Sequence, residues 1–442
     1  MAAIDFGPAW LLARLRALGV PRGAGVCVAF SGGIDSTALL LALTRLPAHE
    51  RPALRALHVD HGLRAASAAD AEAARAQARA LAVDCDVLAV RVEAQGRSLE
   101  AAARSARYAA LAAALRPGEA LLSAHHQDDQ LETLLLMLMR GSGVAGLAAM
   151  SERSVVCGVR LLRPLLPVPR VALEDYVRAA GLRWVEDDSN ADLRFDRNFL
   201  RQRITPLLRE RWPAAPATAS RSAGLLAEAQ GLLDEAAEAQ WRVAADGETL
   251  RVSALRALRP AARANLVRWW LRRRGLPLPE QARLREICGR LLMARGDAQP
   301  ELHWDGAELH RHDGRLFAFA PLAPPPTGAT VWHWRRAPQL HIPGAGILEL
   351  RRDPRGELDL RGLPRTLEVR FRSGGERLRG VRQGQALKEW LRSQRLAPWE
   401  RARLPLIHAD GHLIAVADRW LAPQVLAQAP RARRARLVWR WQ

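Results

Sequence analysis

Long apolar runs, paired cysteines and lysine are what this chain lacks. No stretch of about 18 apolar residues occurs, so no membrane-spanning helix is expected. The N-terminal MAAIDFGPAWLLARLRALGV breaks its short apolar stretch with arginines and has no signal-peptide layout, so a cytoplasmic location is expected. The four cysteines, Cys27, Cys85, Cys157 and Cys288, are far apart and form no CxxC pair, which excludes a zinc ribbon or a disulfide framework and leaves buried thiols as the expectation. Lys388 is the single lysine among 66 Lys and Arg residues. Exchanging lysine for arginine alters no charge, so the formal net charge of +20 needs another reason, and a polyanion such as a nucleic acid supplies one.

What is present is an ordinary globular composition, 49% hydrophobic and 25% charged, in a chain of 442 residues that is too long for one core. The first half alternates apolar runs (GVCVAF, ALRALHVD, DCDVLAVRV, EALLSAHH, VRLLRPLL) with Ala-rich helical stretches. That alternation predicts an α/β fold, a doubly wound parallel sheet covered on both faces. The proline-bearing RITPLLRERWPAAPATAS reads as an exit from this domain, and a helical region follows, closing with a hairpin, PELHWDGAELHRHDGRLFAFA. PLAPPPTGAT is a linker, and the short strands around QALKEWLRSQRL beyond it predict a small α+β module. The expected division is therefore 1–215, 216–320, a linker at 321–330, and 331–442.

The string SGGIDS, Ser31 to Ser36, lies where the first strand ends and a helix begins. Gly32 and Gly33 let backbone N–H groups approach an anion, the helix adds its positive end, and Ser31, Ser36 and Thr37 add hydroxyls; together these make a phosphate site. Asp35 beside a phosphate makes sense mainly with a divalent cation between them. The string is neither GxxxxGK[ST] nor GxGxxG. The same tripeptide recurs at Ser373 to Gly375, but there it runs into Glu376 and Arg377, with no apolar helix and no acid at the place of Asp35.

SGGIDS resembles the signature of the PP-loop, or N-type ATP pyrophosphatase, enzymes, which adenylate a substrate with release of pyrophosphate. HVDHGLR from His58, HHQDDQLET from His125 and DDSNADLRFDRNFLR ending at Arg201 narrow the resemblance to the tRNA(Ile)-lysidine synthases, and RSGGERLRG, ALKEWLR and PWERARLPLI resemble that family's C-terminal domain. The resemblance implies a ligase that uses ATP and Mg²⁺ to join L-lysine to the wobble cytidine of the CAU anticodon of tRNA(Ile). It implies that Ser31, Gly32, Gly33, Ile34, Asp35, Ser36, Thr37, His58 and Val59 bind ATP, with backbone groups near His58 and Val59 receiving the adenine. The plainer alternative is that Asp60 and His61 merely cap a turn.

Asp128, Asp129 and Glu132 fall in the first turn of a helix, where acids also serve the helix dipole. A transition-metal reading of HHQDD fails for want of HxxxH spacing and a nearby cysteine. Asp35 with Asp128 or Asp129 could hold Mg²⁺, with Asp35 and Asp129 the preferred pair, while Asp129 or Glu132 could hold or deprotonate the lysine ammonium. His125 is a candidate for proton transfer or base contact, and Arg201 for steadying the charge that develops. Arg197, Arg203, Arg372, Arg377 and Lys388 are candidate tRNA contacts, as are the surfaces around Trp269, Trp270, the arginines 272–274 and RARRARLVWRW, although packing is the commoner role for the tryptophans. The oligomeric state, monomer or homodimer, is left open. Rival readings are a PP-loop tRNA thiolase, which the scattered cysteines disfavour, an amidating ATP pyrophosphatase, which leaves the basic charge unexplained, and an inactive RNA-binding protein.

Overall fold

The computed structural model describes residues 4–62, 67–92, 99–185, 192–295, 298, 300–378, 385–394, 396–428 and 432–441. Part of HVDHGLR, the start of DDSNADLRFDRNFLR, and parts of RSGGERLRG and RARRARLVWRW lie outside these residues. Among the described residues no helix is long and apolar enough to cross a membrane. The chain divides into two compact units between Leu233 and Asp234, inside the 30-residue helix Ala215–Ala244.

The first unit is built on a six-stranded sheet. Its strands are β1 (Gly25–Ala29), β2 (Ala53–Asp60), β3 (Cys85–Ala89), β4 (Ala120–Leu122), β5 (Arg153–Val156) and β6 (Val159–Leu162), in the order β3-β2-β1-β4-β6-β5. The first four expected apolar runs and VRLLRPLL supply the five parallel strands. The sixth, β5, pairs antiparallel with β6 and caps that edge. Helix α1 is Pro8–Ala17 and helix α2 is Ile34–Thr44; the latter runs through IDSTALLLALT and buries nine of its eleven residues, so it reads as an apolar run although it is a core helix. Val26, Val28, Leu39, Leu40, Leu43 and Leu173 are fully buried in one cluster, with Val177 of the helix Arg170–Ala179. On the other face Leu57, Leu111, Leu121 and Leu161 form a second cluster. Chain order reverses between β1 and β4, and in an open parallel sheet the crevice outside the strand ends at such a point is where ligands bind.

The second unit begins with helices such as Pro260–Arg273, which packs Leu266, Val267, Trp270 and Leu271 at 0% exposure. They lie with a five-stranded antiparallel sheet, in which the expected hairpin is three strands, Glu301–Trp304, Ala307–His312 and Arg315–Phe319. The C-terminal part holds a five-stranded and a four-stranded sheet and the helix Leu387–Ser393. Trp270 is core, and Trp269 stands against Trp241 with Arg273 over both rings. Arg272 pairs with Asp234, and Arg274 donates to the Ala318 carbonyl. The arginine run 272–274 is thus engaged within the protein.

Candidate active site

The loop after β1 turns at Gly32, whose φ of +79° belongs to the left-handed region that glycine alone enters freely. A Cβ there would stand 3.2 Å from Val185 Cγ2 and 3.3 Å from Ala74 Cβ, so the space is closed as well. Val185 N–H donates to the Gly32 carbonyl at 2.9 Å. Ser36 Oγ donates to the Gly33 carbonyl at 3.0 Å and Thr37 Oγ1 to the same oxygen at 2.9 Å, while Ser31 Oγ lies 3.1 Å from Ser36 Oγ. The hydroxyls therefore shape the loop. Helix α2 starts from Gly33, which has no side chain, and its first-turn N–H groups carry no side-chain cap, the arrangement an anion site at a helix start requires.

His58, two residues before the end of β2, lies beside this loop, 7% exposed, with Nδ1 3.0 Å from the Phe30 carbonyl. Burial lowers its pKa. Its ring ties the end of β2 to the residue before Ser31. Asp60 Oδ1 accepts the Gly62 N–H at 2.8 Å, the turn-capping role that the sequence left open.

The second wall comes from the loop after β4 and the helix it opens, Gln127–Met139. His126 is 1% exposed, and its Nε2 lies 3.5 Å from Asp35 Oδ2 and 3.5 Å from Asp129 Oδ2. Burial alone would lower the His126 pKa, but the Asp129 and Asp35 carboxylates outweigh it and raise it. For Asp129 burial works upward, and the charges of His126, Arg201 and Arg197 overcome it, holding the carboxyl well below the usual range. His125 behaves oppositely to its neighbour: desolvation pushes it down to about 3, and Nδ1 is 2.8 Å from Ser123 Oγ. At neutral pH its ring is uncharged, which suits a hydrogen bond to a base better than proton storage.

The third wall is helical. Arg201 lies in a π-helical turn, Leu200–Ile204, a geometry that recurs at functional sites. Its guanidinium holds Glu132 through Nε at 2.7 Å and Nη2 at 2.9 Å, and Nη2 reaches Asp129 Oδ1 at 3.0 Å. Arg197 donates to Thr133 Oγ1 at 2.9 Å and approaches Glu132 at 3.6 Å, so it belongs to this network. Arg203, in contrast, is exposed. Asp128 accepts the Arg170 backbone N–H at 3.0 Å and pairs with Arg209. Asp128, Glu132, Arg170, Arg201, Thr205, Pro206 and Arg209 line a cavity of about 190 Å³.

Sequence reasoning passed over His126, Arg170, Thr205 and Arg209. Arg201, Thr205 and Arg209 are four residues apart, one stripe of a helical run, so their common face was legible. The proline-bearing stretch taken as a domain exit hid it: Pro206 opens the helix Thr205–Arg211 instead of breaking one. Arg170 opens a helix after β6, at the same sheet edge as Ser31.

In the C-terminal part Arg372 is half-buried, 4.0 Å from Glu376, and Arg377 and Lys388 are exposed. The second Ser-Gly-Gly differs from the first in its ligand. Glu376 Oε1 accepts the N–H groups of Ser373 at 2.6 Å and Gly374 at 2.8 Å. The cysteines are all free thiols, and burial raises Cys27 to about 12 and Cys85 to about 11. Those two thiols are not poised to relay sulfur, whereas Cys157, expected to be buried, is exposed.

Three family models match this sequence: a PP-loop domain over residues 13–208, a TilS substrate binding domain over 250–317 and a TilS substrate C-terminal domain over 367–439. A tRNA(Ile)-lysidine synthase of Alkalilimnicola ehrlichii is 42% identical over 432 residues, 96% of each chain. One of Salmonella paratyphi B is 39% identical over 408 residues, 91% of this chain and 94% of the relative. Among solved structures, a U34-tRNA thiolase from Methanococcus maripaludis aligns with a TM-score of 0.41 at 15% identity, over 50% of this chain and 77% of the other. An NMN synthetase from Francisella tularensis aligns with a TM-score of 0.30 at 14% identity, over 50% and 97%.

Proposed function

The chain belongs to the tRNA(Ile)-lysidine synthase family, and from that premise we propose how its site performs ATP-dependent lysidine formation. The observation that carries the reading is the meeting, at one sheet edge, of an anion-receiving loop with a cavity that holds both carboxylates and guanidiniums. The reaction joins L-lysine to the wobble cytidine of the CAU anticodon of tRNA(Ile). The oxygen on the cytosine ring is a poor leaving group. Its attack on the α-phosphate of ATP releases pyrophosphate and leaves an adenylated cytidine, from which the lysine amine displaces AMP.

Each wall has a part. The loop from Ser31 to Gly33 and the first turn of α2 receive the phosphates, and the end of β2 at His58 and Val59 receives the adenine. Among the described residues Asp35 Oδ1 is buried with no hydrogen bond and only the Arg170 Nε 3.7 Å away, which fits a cation, so Asp35 would hold Mg²⁺. When bound, that ion would neutralise phosphate charge. Asp129, the second acid assigned to the metal, already engages Arg201 and the His126 N–H, so its part is first to fix those groups. An amino-acid zwitterion matches the cavity: Asp128 and Glu132 face its ammonium groups, and Arg170 and Arg209 its carboxylate. The attacking amine must shed a proton, and a carboxylate of this cavity is positioned to take it. Arg201 lies where negative charge builds up as the adenylate forms and breaks. Neutral His125 contacts the base, which must leave the anticodon loop to reach the pocket.

Residues 1–215 form the catalytic part in this reading, and 216–320 and 331–442 grip the tRNA, with Arg203, Arg377 and Lys388 meeting phosphate. The cytoplasm is the matching compartment. The test combines the protein with a CAU-anticodon tRNA(Ile) transcript, ATP, Mg²⁺ and labelled lysine. Lysine-dependent AMP release with label in the RNA is expected; release that needs no tRNA would overturn the reading.

A further inference from the structure

The sheet of the second unit carries polar side chains that this chemistry does not use. Strands Glu301–Trp304 and Ala307–His312 are antiparallel, with Glu301 opposite His310, Leu302 opposite Leu309 and His303 opposite Glu308. Side chains alternate across a strand, so the two leucines enter the core and the four polar groups share the other face. One ligand atom each from Glu301, His303 and His310 lies within 4.8 Å of the others. Among the described residues this is the one group of three or more His, Cys, Asp or Glu side chains so arranged.

We propose that Glu301, His303 and His310 bind a divalent transition-metal ion of the zinc class, with Glu308 orienting His310. His310 Nε2 is 3.1 Å from Glu308 Oε2, and a hydrogen bond donated there leaves Nδ1 as a bare acceptor. Nδ1 faces Glu301 Oε2 at 3.3 Å, so two acceptors oppose each other and a cation belongs between them. His303 Nε2 lies 3.5 Å from Glu301 Oε1. Donors on a tetrahedral zinc ion, with bonds of about 2.0–2.1 Å, stand roughly 3.4 Å apart, a spacing the two imidazole–carboxylate contacts already have, while the set as a whole, within 4.8 Å, has to draw together around the ion. The His310 ring is also immobilised, stacked on Phe319 at 5.0 Å and against Trp399 at 4.6 Å, with its side chain only 10% exposed. Two imidazoles and a carboxylate favour zinc-class ions over the magnesium that serves ATP. Such an ion would pin the two strands and the histidine on which Trp399, from the C-terminal part, rests.

The competing explanation is a set of His–Glu ion pairs with a proton in place of the metal. Full-length protein stripped with a chelator is titrated with Zn²⁺ by calorimetry in excess Mg²⁺, and Co²⁺ absorption reports the coordination geometry. One Zn²⁺ per chain with at least micromolar affinity is expected, unaffected by Mg²⁺. His303→Ala and Glu301→Gln, both at exposed positions, should each weaken Zn²⁺ by roughly tenfold or more while AMP release stays near the parent value. Glu308→Gln should weaken it less and keep the stoichiometry. No saturable Zn²⁺ binding, or affinity unchanged in both exposed variants, would overturn the proposal.

Discussion

Arg201 grips Glu132 with two parallel hydrogen bonds, Nε to Oε1 at 2.7 Å and Nη2 to Oε2 at 2.9 Å, and the Glu132 side chain is only 2% exposed. A carboxylate so deeply placed depends on its partner.

Arg201→Ala should therefore cost both fold and function. Leaving the buried Glu132 carboxylate with only Arg197, 3.6 Å away, destabilises by roughly 3 kcal/mol, and turnover should fall by about two orders of magnitude. Adding Glu132→Ala should restore part of the stability and none of the activity. Urea midpoints and lysine-dependent AMP release separate the two; full stability in the single variant would contradict the pairing. Arg201→Lys keeps the charge but not the bidentate geometry and should rescue little.

Asp35→Asn is nearly isosteric and removes the charge next to the phosphate loop. Pyrophosphate release should vanish while tRNA affinity stays within about twofold of the parent, since 1.4 kcal/mol already equals a tenfold change. Filter binding of tRNA run beside the ATP assay checks it; a parallel loss of RNA binding would place Asp35 elsewhere in the mechanism.

Neighbouring histidines should answer pH in opposite senses. His126 has a folded pKa raised above its usual value of about 6.5, so the stability it adds is full below that pH and is lost as pH rises through the folded pKa. His125 is depressed to about 3, so its contribution is present above about pH 6.5 and is lost as pH falls toward 3, where the unfolded chain binds a proton that the folded chain refuses. His126→Asn should flatten the alkaline limb of the stability curve and His125→Gln the acid limb. Denaturant midpoints between pH 4 and pH 9 decide, and identical curves for the two variants would refute the assignment.

Arg377 and Lys388 are exposed in the C-terminal part. If each meets a phosphate, Arg377→Ala and Lys388→Ala should weaken tRNA binding and each lower the slope of log affinity against log salt by about 1. An unchanged slope would remove them from the RNA contact.

The sheet was legible because its strands are continuous apolar runs between glycine-bearing turns, and a parallel sheet buried on both faces demands such runs. SGGIDS was legible because a tight turn needs glycine and the charge logic of Asp35 is local. The identity of the acids' partners was not. Arg170 and Arg209 reach Asp128 from 42 and 81 positions away, and no periodicity records such a pairing. His126, to which the sequence assigns no role, stands between Asp35 and Asp129, the two acids expected to share a metal. The His–Glu face at Glu301 to His310 was hidden for another reason: its residues alternate across two strands, where the sequence shows only a polar hairpin.

The carboxylate of Glu376 sits on the amides of Ser373 and Gly374 as a phosphate oxygen would. The second Ser-Gly-Gly therefore already holds an anion supplied by its own chain, so a repeated tripeptide does not make a repeated anion site. Glu376→Gln, by weakening that internal occupant, would make the tripeptide compete for anions again.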